Sequence, residues 1–360
     1  MGRGEACAIL RELSPVILGG AYAPSAGRRL AIPKPRGGTH TLTIVNILDR
    51  VVAAGVARAL TALFEVVFLP CSYGFRPTRG TWDLMAAMAA VQITTLAIDD
   101  VKKAFDSVAI APLMEIFAEH IADPSLLQLV ETILRGDDDR DRALGILQGN
   151  PLSPLALNVM LHHVHDLPLE GDRDFPPLFR YADNLAYLCE GVPEGHLALD
   201  RIRRLLAHAG LALKGADGNA VDLRESGSAS LLGFRLSLHE DRLRLELGED
   251  ALESDLALCL TSAHDDPDPQ RAARTALRGW AASHGPAFGD LTADDTETIL
   301  RTAARHGFRE LASREELASW CTASHARWTD RYSAALRRLG LTDEDCLFVA
   351  APPATVRPGV

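Results

Sequence analysis

An apolar, β-branched run that ends in two adjacent aspartates is the feature that most restricts how this chain can fold. Residues 93–98 read ITTLAI, which is typical of a buried strand, and Asp99 and Asp100 follow at once. Residues 178–181 and 185–188 predict two further short strands, with Asp183 and Asn184 at the tight turn between them. Two separated segments can thus bring carboxylates to one divalent-cation site.

Helical patterns surround these strands. The predicted helices cover residues 47–68, 78–91, 112–121, 124–134, 155–166 and 196–209. A hairpin is predicted from residues 231–238 and 242–247, and most of the region 251–339 has helical character. Helices with interspersed strands, followed by a helical module, predict an α+β fold.

Charge is distributed unevenly along the chain. The formal net charge of −11 over 360 residues excludes a protein that holds nucleic acid by bulk positive charge. Residues 1–60 nevertheless carry eight bases against three acids, whereas residues 241–300 carry thirteen acids against five bases. The first region is a candidate phosphate-facing surface, and the second predicts a solvated acidic face.

Composition also excludes several classes of protein. The apolar runs fall short of the roughly 18 residues that a membrane span needs, and the first residues lack a signal-peptide pattern. The six cysteines form no Cys-x-x-Cys pair, so neither a zinc site nor a disulfide framework is indicated. We therefore expect a cytoplasmic protein without membrane contact.

Several short motifs follow one another in a characteristic order. They are IPKP at 32–35, DRVV at 49–52, SYGFRP at 72–77, DVKKAFDS at 100–107, LQGNPLSP at 147–154 with Asn158 beyond it, RYADN at 180–184 and LLGFR at 231–235. In this order and spacing they resemble the motifs of reverse transcriptases, specifically the bacterial lineage of group II intron, retron and defence-associated enzymes. The resemblance extends from about residue 29 to residue 236.

The resemblance implies a right-hand polymerase fold. Fingers and palm, an antiparallel sheet flanked by helices, are expected over residues 1–247. A helical thumb is expected over 248–340 and a Pro-rich tail over 341–360, with no appended endonuclease or DNA-binding module. No motif in the last third supports the thumb, and its acidic surplus is unfavourable for gripping a nucleic-acid backbone.

The resemblance also implies roles for individual residues. Asp100, Asp183 and Asn184 correspond to the catalytic positions, and Asp100, Asp183 and the Val101 backbone to the ligands of a Mg²⁺ pair, with Mn²⁺ as an alternative. The positions implied for nucleotide binding are Lys34, His40, Phe105, Gln148 and Gly149. Template and primer contacts are implied for Arg76, Gly233 and Phe234, where Arg76 either supports the fingers or touches the template. Without the motif, Phe105 would be interpreted as a core ring.

Three positions depart from the family pattern. Asn184 replaces the usual second acid and brings an oxygen without negative charge. His40 stands where relatives place a triphosphate-binding Arg, and Asp217 stands where they place a Lys. Lys214 lies three residues earlier and could compensate if the loop is shifted. Together these changes remove positive charge near the triphosphate and negative charge near the metals.

The predicted function is RNA-directed DNA polymerisation by two-metal nucleotidyl transfer. Its partners would be an RNA template, a DNA primer or a protein priming group, and deoxynucleoside triphosphates. The alternatives are an attenuated polymerase fold that acts by binding RNA or protein, and template-independent DNA synthesis in phage defence. Paired acids also bind Mg-diphosphate in prenyl-transfer enzymes, but the strand before Asp99 argues against that all-helical class. The sequence leaves the oligomeric state open.

Overall fold

The computed structural model describes residues 3–33, 39–91, 94–136, 142–215, 220–224, 227–239, 242–248 and 251–339. Its α-helices are α1 (Arg3–Leu18), α2 (Ile47–Phe64), α3 (Thr81–Ala89), α4 (Ala104–Ser107), α5 (Ile110–His120), α6 (Pro124–Arg135), α7 (Ser153–Leu161), α8 (Val192–Ala207), α9 (Ala257–Ala263), α10 (Pro269–Ser283), α11 (Ala293–Arg305) and α12 (Arg314–Leu339). Its strands are β1 (Arg28–Pro33), β2 (Thr39–Ile44), β3 (Thr95–Asp100), β4 (Leu178–Tyr181), β5 (Asn184–Cys189), β6 (Ala220–Asp222), β7 (Ala229–Leu231), β8 (Phe234–His239) and β9 (Arg242–Leu247). The predicted α+β class is confirmed.

A four-stranded antiparallel sheet in the order β4-β5-β3-β6 forms the centre of the fold. The strand predicted at residues 93–98, with the acid pair at its end, is β3, and the two aspartates are its last residues, because Asp99 pairs with Leu185 and Asp100 with Asn184. Asn184 is therefore the first residue of β5. The turn between β4 and β5 consists of Ala182 and Asp183, so the prediction that Asn184 lies in the turn is wrong.

Two other segments depart from the predicted boundaries. The helix expected over 155–166 changes from α-helix to a π-helical turn at His162–Asp166, and this turn carries several buried polar side chains. The hairpin expected from 231–238 begins later, because Leu232 and Gly233 both adopt positive φ angles of 50° and 83°. They form the turn between β7 and β8, and β7, β8 and β9 make a separate three-stranded sheet.

Three apolar clusters lie within the part of the chain that the structure describes. The first lies between the central sheet and α2, α5, α6, α7 and α8. The second joins α3 and the three-stranded sheet to the second half of α12, and the third lies among α9, α10, α11 and the first half of α12. Helix α12 thus belongs to two cores. None of the helices in the described ranges is long and apolar enough to cross a membrane.

Candidate active site

The carboxylates of Asp100 and Asp183 meet at one end of the central sheet. Asp100 is the last residue of β3, and Asp183 lies in the adjacent turn between β4 and β5. The backbone N–H of Val101 donates to the Asp183 carbonyl oxygen at 2.9 Å, which fixes the turn against the end of β3. Ala182 has a φ of 55°, a left-handed conformation that is unfavourable for a residue with a Cβ. The sheet and a strained turn together place the two acids side by side.

The pKa of the Asp183 carboxyl reflects how closely the two acids are placed. Burial raises the pKa of the Asp183 carboxyl, and the neighbouring negative charge of Asp100 raises it further. A backbone hydrogen bond and the positive charge of Lys214 act in the opposite direction. Two carboxylates held this closely attract a cation, because a positive charge between them removes their mutual repulsion.

Lys214 supplies a positive charge at this site through its contact with Asp100. Its Nζ donates to Asp100 Oδ2 at 2.8 Å, and its backbone N–H donates to the Asp100 carbonyl oxygen at 2.8 Å. The hydrogen bond to Asp100 raises the pKa of the Lys214 ammonium, and the charges of Asp100, Asp183 and Asp99 raise it further. Asp217, the position where relatives carry a lysine, lies outside the described residues.

Asp99 has a structural role that sequence reasoning missed. Its side chain is buried on the opposite face of β3 from Asp100, and its Oδ1 accepts from the backbone N–H groups of Asp100 and Gly215, each at 2.8 Å. Asp99 therefore ties the segment after α8 to the end of β3. The adjacent acid pair in the sequence was the available signal, but its two members have different roles.

The donor set suits a hard divalent cation. Asp100 and Asp183 supply carboxylate oxygens, and Mg²⁺ is commonly bound by one or two carboxylates together with substrate phosphates. Within the described residues, His, Cys, Asp and Glu side chains nowhere form a group of three that could hold a metal ion. Two acids without a third protein ligand of these types in that part of the chain fit a cation that solvent and substrate phosphates complete rather than one enclosed by protein.

A buried polar network lies beneath the turn that carries Asp183. The fully buried guanidinium of Arg180 donates to both Asp166 carboxylate oxygens at 2.8 and 2.6 Å, to Asn158 Oδ1 at 2.8 Å and to the Ala182 carbonyl oxygen at 3.2 Å. Asp166 also contacts His165, whose other ring nitrogen lies 2.7 Å from the hydroxyl of Tyr187. Burial alone would raise the pKa of the Asp166 carboxyl, but Arg180 and the two neighbouring histidines hold it well below its usual value.

Sequence reasoning missed Asp166, His165 and Tyr187. The run HHVHD at 162–166, three histidines and an acid at the end of an apolar helix, was the signal that could have identified them. Polar side chains at a buried position need hydrogen-bond partners, which here come from Arg180 and Tyr187.

Three of the predicted nucleotide-binding residues, Phe105, Gln148 and Gly149, lie on α4 and on the loop that contacts it. Phe105 is half-buried on the short helix after β3, and its carbonyl accepts from the Ile146 N–H at 2.8 Å. Gln148 Nε2 donates weakly to Asp106 Oδ1 at 3.4 Å, and the Gln148 carbonyl accepts from the Thr43 N–H at 3.1 Å. His40 lies in β2 opposite Ile32, and Lys34 lies outside the described residues.

Gly149 permits the close approach between this loop and β2. Its φ is 99°, and a Cβ at this position would lie 2.7 Å from the Thr43 carbonyl oxygen. The need for glycine was predicted from an approach to nucleotide and template, whereas in this structure the approaching group is the backbone of β2. The loop thereby connects the β1–β2 hairpin to the short helix α4 that follows β3.

Arg76 is a support residue in this structure. It is buried, donates to both Glu65 carboxylate oxygens at 3.0 and 2.8 Å, and donates to the carbonyl oxygens of Leu69 and Ser72 at 2.7 and 2.9 Å. These bonds leave its guanidinium inside the protein. The expectation that Arg76 touches the template disagrees with this geometry, whereas its other predicted role, supporting the fingers, agrees with it.

Gly233 lies in the turn between β7 and β8, and Phe234 is the first residue of β8. Phe234 is buried in the second apolar cluster, and its ring centre lies 5.8 Å from that of His284. The Gly233 carbonyl accepts from the Gly248 N–H at 3.0 Å. Because the ring of Phe234 packs inside the protein, a primer contact at this position would have to come from its backbone, and the primer role of Gly233 and Phe234 stays a prediction.

Comparison with known proteins identifies the family. The family model described as "Reverse transcriptase (RNA-dependent DNA polymerase)" matches residues 32–216, which include Asp100, Asp183 and the segment up to Lys214. The chain belongs to the reverse transcriptase family. Its central antiparallel sheet, with flanking helices and the two acids at one end, is the palm of the right-hand polymerase fold.

Curated relatives match the same region. The chain is 31% identical to the protein YkfC of Escherichia coli K12 over 179 residues, which cover 45% of this chain and 47% of the relative. It is 26% identical to the group II intron-encoded protein LtrA of Lactococcus lactis over 179 residues, which cover 46% of this chain and 30% of that protein. The chain thus spans less than half the length of either relative.

Solved telomerase structures are more distant. A telomerase from Candida tropicalis in complex with a fragment of telomeric RNA aligns with a TM-score of 0.48 and 12% identity, covering 92% of this chain and 68% of that one. The family assignment rests on the sequence match.

Proposed function

We propose that this protein is an RNA-directed DNA polymerase that extends a DNA chain by two-metal nucleotidyl transfer. The observation that carries the proposal is the pairing of Asp100 with Asp183 at one end of the palm sheet, within the region that matches the reverse transcriptase family. Phe105 follows Asp100 closely in the chain, and Gln148 hydrogen-bonds to Asp106 on the same short helix as Phe105. This arrangement provides a cation site with an adjacent nucleotide surface.

The two aspartates would hold the divalent cations. Mg²⁺ bound there supplies charge neutralisation for the attacking and leaving oxygens of an in-line phosphoryl transfer. The Val101 N–H, by holding the Asp183 carbonyl, keeps the turn at the distance that the acid pair requires. Arg180 supports the same turn from below through the Ala182 carbonyl.

Phe105 and the loop at Gln148 would select and position the nucleotide. An aromatic ring under the incoming sugar collides with a 2′-hydroxyl and so favours deoxynucleotides. Lys34 and His40 are proposed to contact the triphosphate, and the turn at Gly233 to contact the primer. Residues 248–340 are proposed to act as the thumb, with an RNA template and a DNA primer or protein priming group as partners.

Asn184 supports a second candidate, a polymerase fold that acts by binding RNA or protein. Asn184 faces Asp100 across the β3–β5 pair, and its side chain donates a long hydrogen bond of 3.5 Å to the Tyr181 carbonyl. A carboxylate about 4 Å from a dication is worth at most about 8 kcal/mol at an effective dielectric of about 20, and solvent reduces this strongly. The site therefore has less negative charge than one with two acids at this hairpin.

Primer extension tests the proposal and separates the two candidates. The purified protein is assayed on poly(rA)/oligo(dT) with dTTP, in Mg²⁺ and separately in Mn²⁺, beside Asp100→Ala and Asn184→Asp. Extension by the wild type that Asp100→Ala abolishes supports the polymerase. If the wild type is inactive in both metals and Asn184→Asp restores extension, the binding function is favoured. Sequencing of the product distinguishes templated from template-independent synthesis.

A further inference from the structure

Backbone hydrogen bonds place Lys214 next to Asp100, with which its side chain forms an ion pair. The Lys214 N–H donates to the Asp100 carbonyl oxygen at 2.8 Å, and the Lys102 N–H donates to the Ala212 carbonyl oxygen at 2.7 Å. Val101 and Leu213 form an antiparallel bridge between these two bonds. The segment that carries Lys214 is therefore an extension of the palm sheet beyond β3, and the lysine side chain begins beside the acid that it contacts.

The side-chain contact occupies one of the two carboxylate oxygens that Asp100 could offer to a metal. Lys214 Nζ lies 2.8 Å from Asp100 Oδ2, while the Lys214 side chain is 66% exposed and that of Asp100 is 31% exposed. An ammonium at this distance uses the same lone pairs as a divalent cation. Because the pair is open to solvent, its strength is modest and it can be opened.

We propose that Lys214 is a displaceable counter-ion of the metal site, which competes with the first divalent cation for Asp100. The inference rests on the proposed role of Asp100 and Asp183 as metal ligands. It goes beyond that role because it assigns to this lysine control over metal affinity. The cation and the ammonium share one carboxylate, so metal binding displaces Lys214 from Asp100 Oδ2, and the protein without metal has one of its two acid charges offset by the lysine.

Asn184 increases the effect that Lys214 has on metal affinity in this chain. Asp100 and Asp183 bring two negative charges, and Lys214 reduces their sum to one. With an amide instead of an acid at 184, no acid other than Asp183 on this hairpin offsets the lysine. The ammonium therefore weakens metal binding in two ways, by covering an oxygen and by repelling the incoming cation.

Metal titration without nucleic acid or nucleotide tests the inference. Mn²⁺ is the probe, and free Mn²⁺ is measured by electron paramagnetic resonance in the presence of the full-length protein. We expect Lys214→Met to bind Mn²⁺ about three- to tenfold more tightly than the wild type, the range of a solvent-exposed ion pair plus nearby charge repulsion. The double variant Asp100→Asn/Lys214→Met should lose this gain, because it lacks the Asp100 carboxylate for which Lys214 competes.

Lys102→Met is the matched control. Its side chain is exposed two residues from Asp100, so the substitution removes the same charge close to the site without removing the contact with Asp100. We expect its Mn²⁺ affinity to change less than twofold. Circular dichroism confirms that each variant is folded before it is titrated.

Three results would overturn the inference. They are an unchanged or weaker Mn²⁺ affinity in Lys214→Met, an equal gain in Lys102→Met, and no Mn²⁺ binding by any folded variant. The result is separable from the proposed polymerase function. If Lys214→Met gains Mn²⁺ affinity but the protein shows no primer extension, the counter-ion role is supported and the polymerase function is rejected. If the protein extends a primer but Lys214→Met leaves the Mn²⁺ affinity unchanged, the polymerase function is supported and the counter-ion role is rejected.

Discussion

Arg180 and Asp166 form a buried ion pair that connects the protein interior to the turn that carries Asp183. Both side chains are excluded from solvent, and the guanidinium forms bonds to Asn158, Ser72 and the Ala182 carbonyl in addition to its bonds to the acid. A buried charge that loses its partner is strongly unfavourable, because neither water nor another ion replaces it. The pair therefore imposes one conformation on the residue next to Asp183.

Asp166→Asn should destabilise the protein in a pH-dependent way. The folded state holds the pKa of the Asp166 carboxyl below its usual value, so its stabilisation is present at neutral pH and is lost as the pH falls through the folded pKa. We expect the variant to lose about 3–5 kcal/mol of unfolding free energy at pH 7, and the difference from wild type to shrink below about pH 4. Urea denaturation at several pH values measures both.

Asp172→Asn is the control for this experiment, because Asp172 pairs with Arg201 at the surface. Solvent screens that pair, so its removal should have a much smaller effect. An equal loss in both variants would contradict the role assigned to the buried pair.

The segment at Ser72–Phe75 acts as an additional edge of the palm sheet. The Tyr73 N–H donates to the Arg180 carbonyl and the Arg180 N–H donates to the Cys71 carbonyl, each at 2.8 Å. Asn158 Nδ2 donates to the Gly74 carbonyl at 2.7 Å. A Cβ on Gly74 would overlap the backbone nitrogen of Ala182, so this segment packs directly on the turn that carries Asp183.

Gly74→Ala should displace the turn and lower activity. We expect a loss of about 1–3 kcal/mol in unfolding free energy from overpacking, and a fall of about tenfold or more in primer extension because the acid pair is misplaced. Gly55→Ala in α2 is the matched control. A Cβ there meets no atom within 4 Å, and alanine in a helix should stabilise by about 0.5–1 kcal/mol without loss of extension. Similar activity in both variants would contradict the coupling.

Helix α12 joins the C-terminal helical region to the palm. Its first half contributes Leu317 and Cys321 to the core shared with α9, α10 and α11, and its second half packs Trp328 against α3 and the three-stranded sheet. Polar contacts reinforce this junction. Arg331 donates to both carboxylate oxygens of Asp83 at 2.9 and 2.5 Å, and the Trp82 Nε1 donates to the Ser283 carbonyl at 2.8 Å.

Trp328→Ala should lower the unfolding free energy of the whole molecule rather than that of the C-terminal helical region alone. The side chain is fully buried, and removing a large aromatic ring from a core costs about 3–5 kcal/mol. We expect wild type to unfold in one urea transition and the variant to unfold at lower urea, by far-ultraviolet circular dichroism. Trp320→Ala is the control, since that ring is partly exposed beside Arg274 and Arg278 and should cost less. Two separate wild-type transitions would contradict the shared core.

The sequence by itself determined the family, the α+β class and the segments that carry the acids. These follow from local patterns: β-branched runs predict strands, and the ordered motifs need no knowledge of packing. The catalytic roles of Asp100 and Asp183 stay predictions, although the structure places them together. Only the tertiary structure decided that Asn184 lies within β5, that Arg76 and the Phe234 ring are buried, and that Lys214 contacts Asp100. Such contacts join residues far apart in the chain, 114 positions for Lys214 and Asp100, and so depend on how strands pair and which segments pack together.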